Sequence, residues 1–237
     1  MELRAITTID TSIALGIGFY TVPEAARLLR VPSRTINRWL GGYAYGRGEA
    51  RVQLPPLWKP ALPREGSHIE LSFRDLIKLR FVSAFLAAGT DLRTVRNCLD
   101  HARDSVSDDR PFSTRRFRTD GRTIFLESLH RGGDGELLDL KRQQFVFKSV
   151  IEQTFRDLDI DDDAVARWRP YDGRSSIVID PTRAFGQPIA TASGVPTVAL
   201  AEAVEAEGSL ERVAYLYEVA PSVVRDAVRF EASLRAA

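Results

Sequence analysis

The stretch Thr21–Leu40 reads TVPEAARLLRVPSRTINRWL. Apolar residues at helical spacing in its first half predict one helix: Val22, Ala25, Ala26 and Leu29. Pro32 disfavours helix at the residue before it, so the chain is expected to turn there. A second helix is predicted by another apolar stripe, which consists of Ile36, Trp39 and Leu40. This helix is expected to end at the glycine pair Gly41-Gly42, which gives two short helices that cross steeply.

The opposite side of the second helix is polar and basic. It carries Arg34, Thr35, Asn37 and Arg38. In a DNA major groove, arginine binds guanine, asparagine binds adenine, and threonine reaches a phosphate or a thymine methyl group. Between Arg27 and Lys59 the chain has seven basic residues and one acidic residue, although its total formal charge is only +1. Motif and charge favour DNA binding over the alternative, a solvated basic face on an ordinary helical hairpin.

A segment rich in glycine and proline follows and predicts a strand–turn–strand wing. Its first part contains two tyrosines and two arginines: Tyr43, Tyr45, Arg47 and Arg51. Two more helices are then predicted, the first capped by Ser72 with Asp75 three residues later. The first of these is expected to end at Gly89, and the second contains the single cysteine, Cys98, which we expect to be buried.

From Tyr20 to about Asp100 this order of helix pair, wing and helices resembles the winged-helix DNA-binding domain of MerR-type regulators. The resemblance implies that the helix from Ser33 to Leu40 reads the major groove through Ser33, Arg34, Thr35, Asn37 and Arg38. It also implies that the wing, with Tyr43, Tyr45, Arg47 and Arg51, contacts the DNA backbone. The chain lacks the sustained heptads of the MerR coiled coil and the several thiols of its metal sensors, so dimerisation and control are expected elsewhere.

The composition gives no support for an enzyme, a cofactor or a metal site. The three histidines, His68, His101 and His130, have no ligand spacing, and one cysteine cannot form an intramolecular disulfide. A run of acids lacks the glycine of a calcium loop and is assigned to a helix end and a linker: Asp157, Asp159, Asp161, Asp162 and Asp163. The uncharged run from Ser12 to Tyr20 is too short to span a membrane, so a cytoplasmic protein is expected.

The middle of the chain is less informative. We expect a polar linker with an arginine cluster (Arg115, Arg116 and Arg118) and then an Asp120-Gly121 turn between two strands. The cluster is interpreted as a solvated loop rather than a second phosphate-binding patch. Another strand is expected after the loop at residues 131–136. An amphipathic helix should follow, with three residues facing inward: Ile151, Phe155 and Leu158.

The last third predicts a strand at Ile177–Ile179 and three helices. The first runs from Thr197 to Gly208, the second is capped by Ser209, and the third starts at Ser222. The second and third helices superficially repeat the opening helix pair. From Thr197 onward, however, there are seven acidic residues and four arginines, a charge that would repel phosphate. A protein partner or a second copy of the chain fits this region better.

The residues IDP, FGQPI, SGVPT and the helices that follow, from about Ile177 to Leu234, resemble a small trihelical domain found in bacterial antitoxins. Together with the winged helix they resemble the larger VapB-type antitoxins of type II toxin–antitoxin pairs. This resemblance implies a homodimer that binds a palindromic operator in double-stranded DNA, represses its own operon and sequesters a PIN-like ribonuclease toxin. Four arginines are candidate cations for the carboxylates of such a toxin, although ordinary surface roles are the favoured interpretation: Arg167, Arg169, Arg174 and Arg183.

The sequence as a whole predicts a mainly α protein with small β elements. Three segments are expected: a winged-helix DNA-binding domain over residues 1–108, a strand and helix bridge over 109–170, and a trihelical domain for toxin binding or dimerisation over 171–237. The alternative function is a stand-alone MerR-like transcriptional regulator whose C-terminal domain senses a small ligand. An enclosed polar pocket in that domain would favour the sensor, and an exposed apolar or basic groove would favour the antitoxin.

Overall fold

The computed structural model describes residues 17–45, 52–62, 68–108, 110–132 and 137–235. Its architecture is mainly helical with small antiparallel sheets, as predicted from the sequence. The predicted features of the N-terminal residues 1–16, and the wing residues Arg47 and Arg51, lie outside the described residues. For Tyr45 the structure describes only the backbone.

The chain enters through a two-residue strand, β1 (Tyr20–Thr21), and continues into α1 (Val22–Leu29) and α2 (Ser33–Gly41). Thr21 and Glu24 form a complete capping box at the start of α1. Gly42 follows α2 with a φ of 72°, and a Cβ atom there would lie only 2.6 Å from the Leu54 carbonyl oxygen. The two predicted helices and their glycine stop are therefore confirmed.

A pair of antiparallel strands, β2 (Tyr43–Tyr45) and β3 (Val52–Leu54), follows α2. Strand β4 (Glu70–Leu71) then pairs with β1 and leads into α3 (Phe73–Ala87). The predicted Ser72 cap is present, and its partner Asp75 is completely buried. The Asp75 carboxylate also accepts a hydrogen bond from the Trp58 indole N–H at 3.0 Å, so the cap ties the loop before α3 to the core.

Helix α4 (Leu92–Val106) is capped at its start by Asp91, and it buries Cys98 as expected. A short 3₁₀ turn at Pro111–Ser113 connects it to α5 (Arg115–Gly132). Helix α6 (Leu137–Phe155) packs against both α3 and α5. These helices surround a cluster of phenylalanine rings, including Phe85 and Phe147, whose centroids are 4.6 Å apart.

The prediction of a loop and strands around Asp120-Gly121 is wrong, because this dipeptide lies inside α5. Residues of α5 that face the core have helical spacing: Phe117, Gly121, Ile124 and Phe125. Gly121 is needed for close packing, since a Cβ atom there would lie 2.7 Å from the Ile151 Cδ1 atom of α6. The strand expected after residue 136 is also wrong, since α6 begins at Leu137.

Residues 158–190, all of which are described, contain an antiparallel sheet with its four strands in chain order. The strands are β5 (Leu158–Asp161), β6 (Ala164–Trp168), β7 (Ile177–Ile179) and β8 (Pro188–Ala190). The strand predicted at Ile177–Ile179 is confirmed. Leu158 is buried as expected, but it lies in β5 rather than in the preceding helix.

Two of the carboxylates in the acid run are partners of arginines. The Arg80 guanidinium donates to both oxygens of Asp157, the shorter bond being 2.6 Å. Asp159 pairs with Arg169 at 2.7 Å. Because one of these pairs joins α3 to the start of β5, the acid run contributes to the packing of the sheet on the helices.

The C-terminal part consists of α7 (Thr197–Glu207), α8 (Leu210–Leu216) and α9 (Pro221–Arg235). Gly208 and Ser209 end and begin their helices as predicted. A small hydrophobic cluster lies among these three helices, whereas the larger cluster extends from Tyr20 to Leu234 and includes residues from all three segments expected from the sequence. The segment boundaries at residues 108 and 170 stay a prediction.

Candidate nucleic-acid interface

Helix α2 separates its apolar and polar residues cleanly. Ile36, Trp39 and Leu40 are buried against α1 and the larger core. Arg34, Asn37 and Arg38 are exposed, and Ser33 and Thr35 are half-buried at the edge of the helix. The packing of the apolar stripe therefore determines that the arginine and amide groups face outward together.

Arg38 connects this exposed face to the neighbouring strands. Its guanidinium carbon lies 3.6 Å from the centroid of the Tyr43 ring, which is the geometry of a cation–π contact. Tyr43 is the first residue of β2 and is half-buried. The contact orients the Arg38 side chain, and it brings one residue of the predicted wing next to the predicted recognition helix.

Helix α4 contacts the segment that directly follows the strand pair β2–β3. The Arg96 guanidinium donates to the carbonyl oxygens of Pro55 and Pro56, both at 2.9 Å. Sequence analysis missed this role of Arg96, and its only sequence signal was a basic residue on the exposed side of α4. Arg96 anchors the chain immediately after β3, so the position of the wing depends on α4.

Two arginines of the basic N-terminal stretch point away from this face. Arg27 on α1 lies 3.4 Å from the carboxylate of Glu231 on α9. Arg30 donates a hydrogen bond to the Ser233 hydroxyl, also on α9, at 3.3 Å. The positive charge counted along the sequence is therefore divided, because these two residues join the first helix pair to the last helix.

The four arginines suggested for toxin binding have different intramolecular partners. Arg167 lies 3.1 Å from Asp180, and Arg169 pairs with Asp159. The Arg174 guanidinium lies over the Tyr171 ring, and Arg183 donates to the Thr191 carbonyl oxygen. Their assignment to toxin binding stays a prediction.

Asp180 shows how the Arg167 pair is stabilised. Desolvation by burial acts to raise the pKa of this carboxyl, but hydrogen bonds from Thr182 and the nearby Arg167 charge outweigh it and lower the pKa below the ordinary value. Asp180 therefore stays ionised and holds the side chain of Arg167, which lies on β6.

A cavity of about 390 Å³ lies beside Asp180. Its lining includes Phe73, Arg74, Arg110, Arg167 and Thr182. Arg74 is already engaged by Asp108, with a shortest N–O distance of 2.7 Å. The cavity lies between α3 and the sheet, and its lining residues Asp180, Pro181 and Thr182 belong to the segment 171–237, in which the sensor alternative requires a pocket. None of its lining residues comes from the three helices α7, α8 and α9.

Sequence analysis did not single out one exposed apolar surface. Tyr215, Leu216 and Tyr217 are consecutive residues at the end of α8 and are 84%, 53% and 37% exposed. The inner face of the same short helix is formed by Val213 and Ala214. The sequence signal was a tyrosine and a leucine at the end of a seven-residue helix and a second tyrosine directly after it, since so short a helix cannot bury all these apolar side chains on one side.

The described residues contain neither a metal-binding cluster nor a membrane-spanning helix. Within these residues there is no group of three or more histidine, cysteine, aspartate or glutamate side chains that could hold a metal ion. The same residues contain no helix with the length and apolar character needed to cross a membrane.

The proteins that this chain is similar to include a curated relative and a solved structure of similar extent. No protein-family model matches the chain. It is 30% identical over 231 residues to a Mycobacterium tuberculosis protein named "Putative antitoxin VapB45", covering 92% of this chain and 96% of the relative. The X-ray crystal structure of Rv2018 from M. tuberculosis matches with a TM-score of 0.70 and 28% identity, covering 88% of this chain and 96% of that one.

Proposed function

The chain belongs to the family of the "Putative antitoxin VapB45", and on that premise we propose that it is the antitoxin of a bacterial type II toxin–antitoxin pair. In this proposal the protein acts in the cytoplasm as a binding protein rather than an enzyme. Residues 1–108 bind operator DNA, residues 171–237 hold the toxin or a second copy of the chain, and residues 109–170 bridge the two. The protein represses its own operon and neutralises a PIN-like ribonuclease.

The DNA-binding part of the proposal treats α1 and α2 as a MerR-like helix-turn-helix and β2–β3 as its wing. The observation that carries it is the joint exposure of Arg34, Asn37 and Arg38 on α2. Arginine and asparagine side chains on one helix face match the hydrogen-bonding edges of guanine and adenine. Pro32, which precedes α2, supplies no side-chain cap, so the first N–H groups of the helix suit a phosphate oxygen.

The form of the operator follows from the size of the reading helix. Helix α2 has nine residues, and a helix of this length reads only one half-site of DNA. We therefore expect a homodimer on a palindromic sequence, with the two copies of α2 separated by about one turn of DNA, roughly 34 Å. Sedimentation of the protein on such a duplex should give two chains per site.

The toxin-binding part of the proposal rests on the family and on the C-terminal surface. PIN-like ribonucleases hold magnesium with clustered carboxylates, so a cation from the antitoxin would be attracted to that site. Arg167, Arg169, Arg174 and Arg183 remain the candidates for this cation. The exposed residues at the end of α8 favour a protein partner over a ligand-sensing role, because large apolar side chains gathered at one surface mark interaction sites.

The DNA-binding proposal is tested by replacing Arg34 and Arg38 with alanine in the full chain. Each arginine that contacts a base contributes about 1–3 kcal/mol, so the double variant should bind the DNA upstream of its own gene roughly a hundredfold more weakly or worse. Fluorescence anisotropy with that duplex measures the affinity, and circular dichroism verifies the fold. The exposed positions of both residues predict that the fold is retained.

A matched control exists on α9, where Arg225 and Arg229 are also exposed and also one helical turn apart. Replacing these two with alanine removes the same total charge and should leave the DNA affinity within about twofold of the original. Equal losses in the two double variants would show a nonspecific charge effect and would contradict the assignment of α2 as the reading helix.

A further inference from the structure

The end of α8 forms a surface that the core does not use. Tyr215, Leu216 and Tyr217 project outward one after another, and Tyr215 is 84% exposed. Among the side chains that the structure describes, only three other large hydrophobic ones are exposed, and they lie on separate elements: Val52, Phe145 and Phe185. Scattered apolar side chains are ordinary on a protein surface, whereas a contiguous group indicates a binding site. We call Tyr215, Leu216 and Tyr217 the α8 corner.

The backbone holds the α8 corner in one conformation. Glu218 adopts a left-handed conformation with a φ of 52°, and the Val219 N–H donates to the Ala214 carbonyl oxygen at 3.0 Å. These are the features of a Schellman turn, which ends a helix sharply. Val213 and Ala214 are buried in the small hydrophobic cluster. The backbone of the corner is therefore already ordered, and binding a partner would cost little of its conformational entropy.

The rim of the α8 corner is acidic. Glu211 and Glu218 are exposed on either side of it, and the nearby positive charge of Arg212 is neutralised by Glu207 at 2.6 Å. Nucleic acid would be repelled by this surface. A second copy of the chain is also disfavoured, since a symmetric contact would place Glu211 and Glu218 close to the same two acids of the other copy.

We infer that the α8 corner is the docking surface for the toxin, an inference that rests on the antitoxin role proposed above. The complementary surface on the toxin is an apolar recess, which receives Tyr215 and Leu216, with lysine or arginine side chains at its edge to pair with Glu211 and Glu218. In this assignment the antitoxin presents negative charge to the toxin, whereas the four candidate arginines discussed above would present positive charge.

The size of the α8 corner fits the centre of an interface rather than the whole of it. A buried tyrosine contributes about 150–250 Å², whereas a stable complex buries about 800 Å² on each partner. Central tyrosines surrounded by polar residues are typical of the few side chains that dominate binding energy. The acidic rim of the corner would supply the surrounding polar contacts.

The test uses the full chain and, as the probe, the protein encoded beside its gene. Replacing Tyr215 with arginine places a positive charge at the centre of the corner, and the exposure of this residue predicts that the fold is kept. We expect isothermal titration calorimetry to show binding at least tenfold weaker, with unchanged affinity for the DNA upstream of the gene. Phe145→Arg on α6, 76% exposed, is the matched control and should bind the probe normally.

A second variant tests the charge of the rim without touching the apolar centre. Glu211→Lys combined with Glu218→Lys should weaken binding of the probe, and the weakening should diminish as salt is raised, because these charges are exposed. A rim variant that binds more tightly would overturn the inference and would favour an acidic docking surface on the toxin.

The remaining outcomes separate this inference from the antitoxin role. If the original chain binds the probe and Tyr215→Arg binds it equally well, the α8 corner is not the docking surface and the antitoxin role stands. If the original chain does not bind the probe, the antitoxin role and the inference both fail. If Tyr215→Arg instead changes the oligomeric state in sedimentation experiments, the corner is a contact between copies and the inference is overturned.

Discussion

The helix pair α1–α2 near the N-terminus and the pair α8–α9 near the C-terminus use the same turn. In the first, Arg30 has a φ of 56° and the Val31 N–H donates to the Ala26 carbonyl oxygen at 3.0 Å. In the second, Glu218 has a φ of 52°, and the corresponding bond from Val219 to Ala214 is also 3.0 Å. The first helix of each pair therefore ends in a Schellman turn, in which a valine follows the left-handed residue and donates the closing hydrogen bond.

The surfaces of the two pairs are nevertheless different. The second helix of the N-terminal pair exposes Arg34, Asn37 and Arg38, whereas the C-terminal pair exposes Tyr215 and Leu216 beside glutamates. A turn that depends on backbone hydrogen bonds is compatible with either surface. The difference shows that this local fold does not determine the partner, and that the exposed side chains do.

The largest expected change in the free energy of unfolding comes from truncating a buried side chain in each helix pair. Ile36 of α2 is completely buried in the larger hydrophobic cluster, and Val224 of α9 is completely buried in the smaller one. Ile36→Ala should lower the free energy of unfolding by about 2–5 kcal/mol. Val224→Ala removes two methyl groups and should cost roughly 1.5 kcal/mol. Urea denaturation measures both, and a larger loss for Val224→Ala would show that the C-terminal pair is the better anchored.

A further difference between the two pairs comes from a buried lysine on α3, the helix that packs against α1. Lys78 on α3 is buried over the Trp58 ring, and desolvation lowers its pKa to about 7. The unfolded chain keeps this lysine protonated up to about pH 10.4. Between pH 7 and pH 10 the unfolded state therefore binds more protons, so stability should rise with pH, by at most about 1.4 kcal/mol per pH unit.

Urea denaturation at pH 7, 8 and 9 of the original chain and of Lys78→Met checks this prediction. The variant lacks the titrating amine, so the free energy of unfolding of the original chain should rise relative to that of the variant as pH rises. A constant difference over this range would contradict a lowered pKa at Lys78.

A smaller effect is expected where the two pairs meet. Glu231 on α9 accepts a hydrogen bond from the buried Thr197 hydroxyl and pairs with Arg27 of α1. Glu231→Ala leaves that hydroxyl without this acceptor and should cost about 1–3 kcal/mol in unfolding free energy. Glu231→Gln keeps an acceptor oxygen and should cost about 1 kcal/mol or less, since Arg27 is partly exposed. Equal costs for the two variants would show that the charge, not the hydrogen bond, stabilises the junction.

The smallest effect tests whether the two turns are equivalent. Arg30 and Glu218 both adopt a left-handed conformation that is unfavourable for residues with a Cβ atom. Arg30→Gly and Glu218→Gly should each change stability by less than about 1 kcal/mol, in the stabilising direction, after the greater freedom of glycine in the unfolded chain is included. Thermal unfolding compares them, and a stabilisation at only one site would show that the turns differ in strain.

Sequence patterns determined the elements that depend on local chemistry. The caps at Ser72 and Ser209, the glycine stops and the apolar stripe of α2 all follow from interactions within a few residues, and the structure has them as expected. The interpretation failed between residues 109 and 140. There the Asp120-Gly121 pair predicts a turn, whereas the helical spacing of Phe117, Ile124 and Phe125 matches the helix that is present.

A local signal for α5 was present at its beginning. The Thr114 hydroxyl accepts a hydrogen bond from the Phe117 N–H at 3.1 Å, as the capping residue of a helix does. The position of Gly121 inside this helix does not follow from local signals, because glycine is favourable there only where Ile151 of α6 lies against it. Contacts between residues about 30 positions apart cannot be recognised from the spacing within one segment.

By itself, then, the sequence determined where the helix pairs begin and end and which face of α2 is polar, because caps, turns and amphipathic spacing act over one or two helical turns. Only the tertiary structure decided that Arg27 and Arg30 are tied to α9, that Asp157 is bound to Arg80, and that the α8 corner is left uncovered. These outcomes depend on which distant surfaces meet, and that depends on how the whole hydrophobic core packs rather than on any single segment.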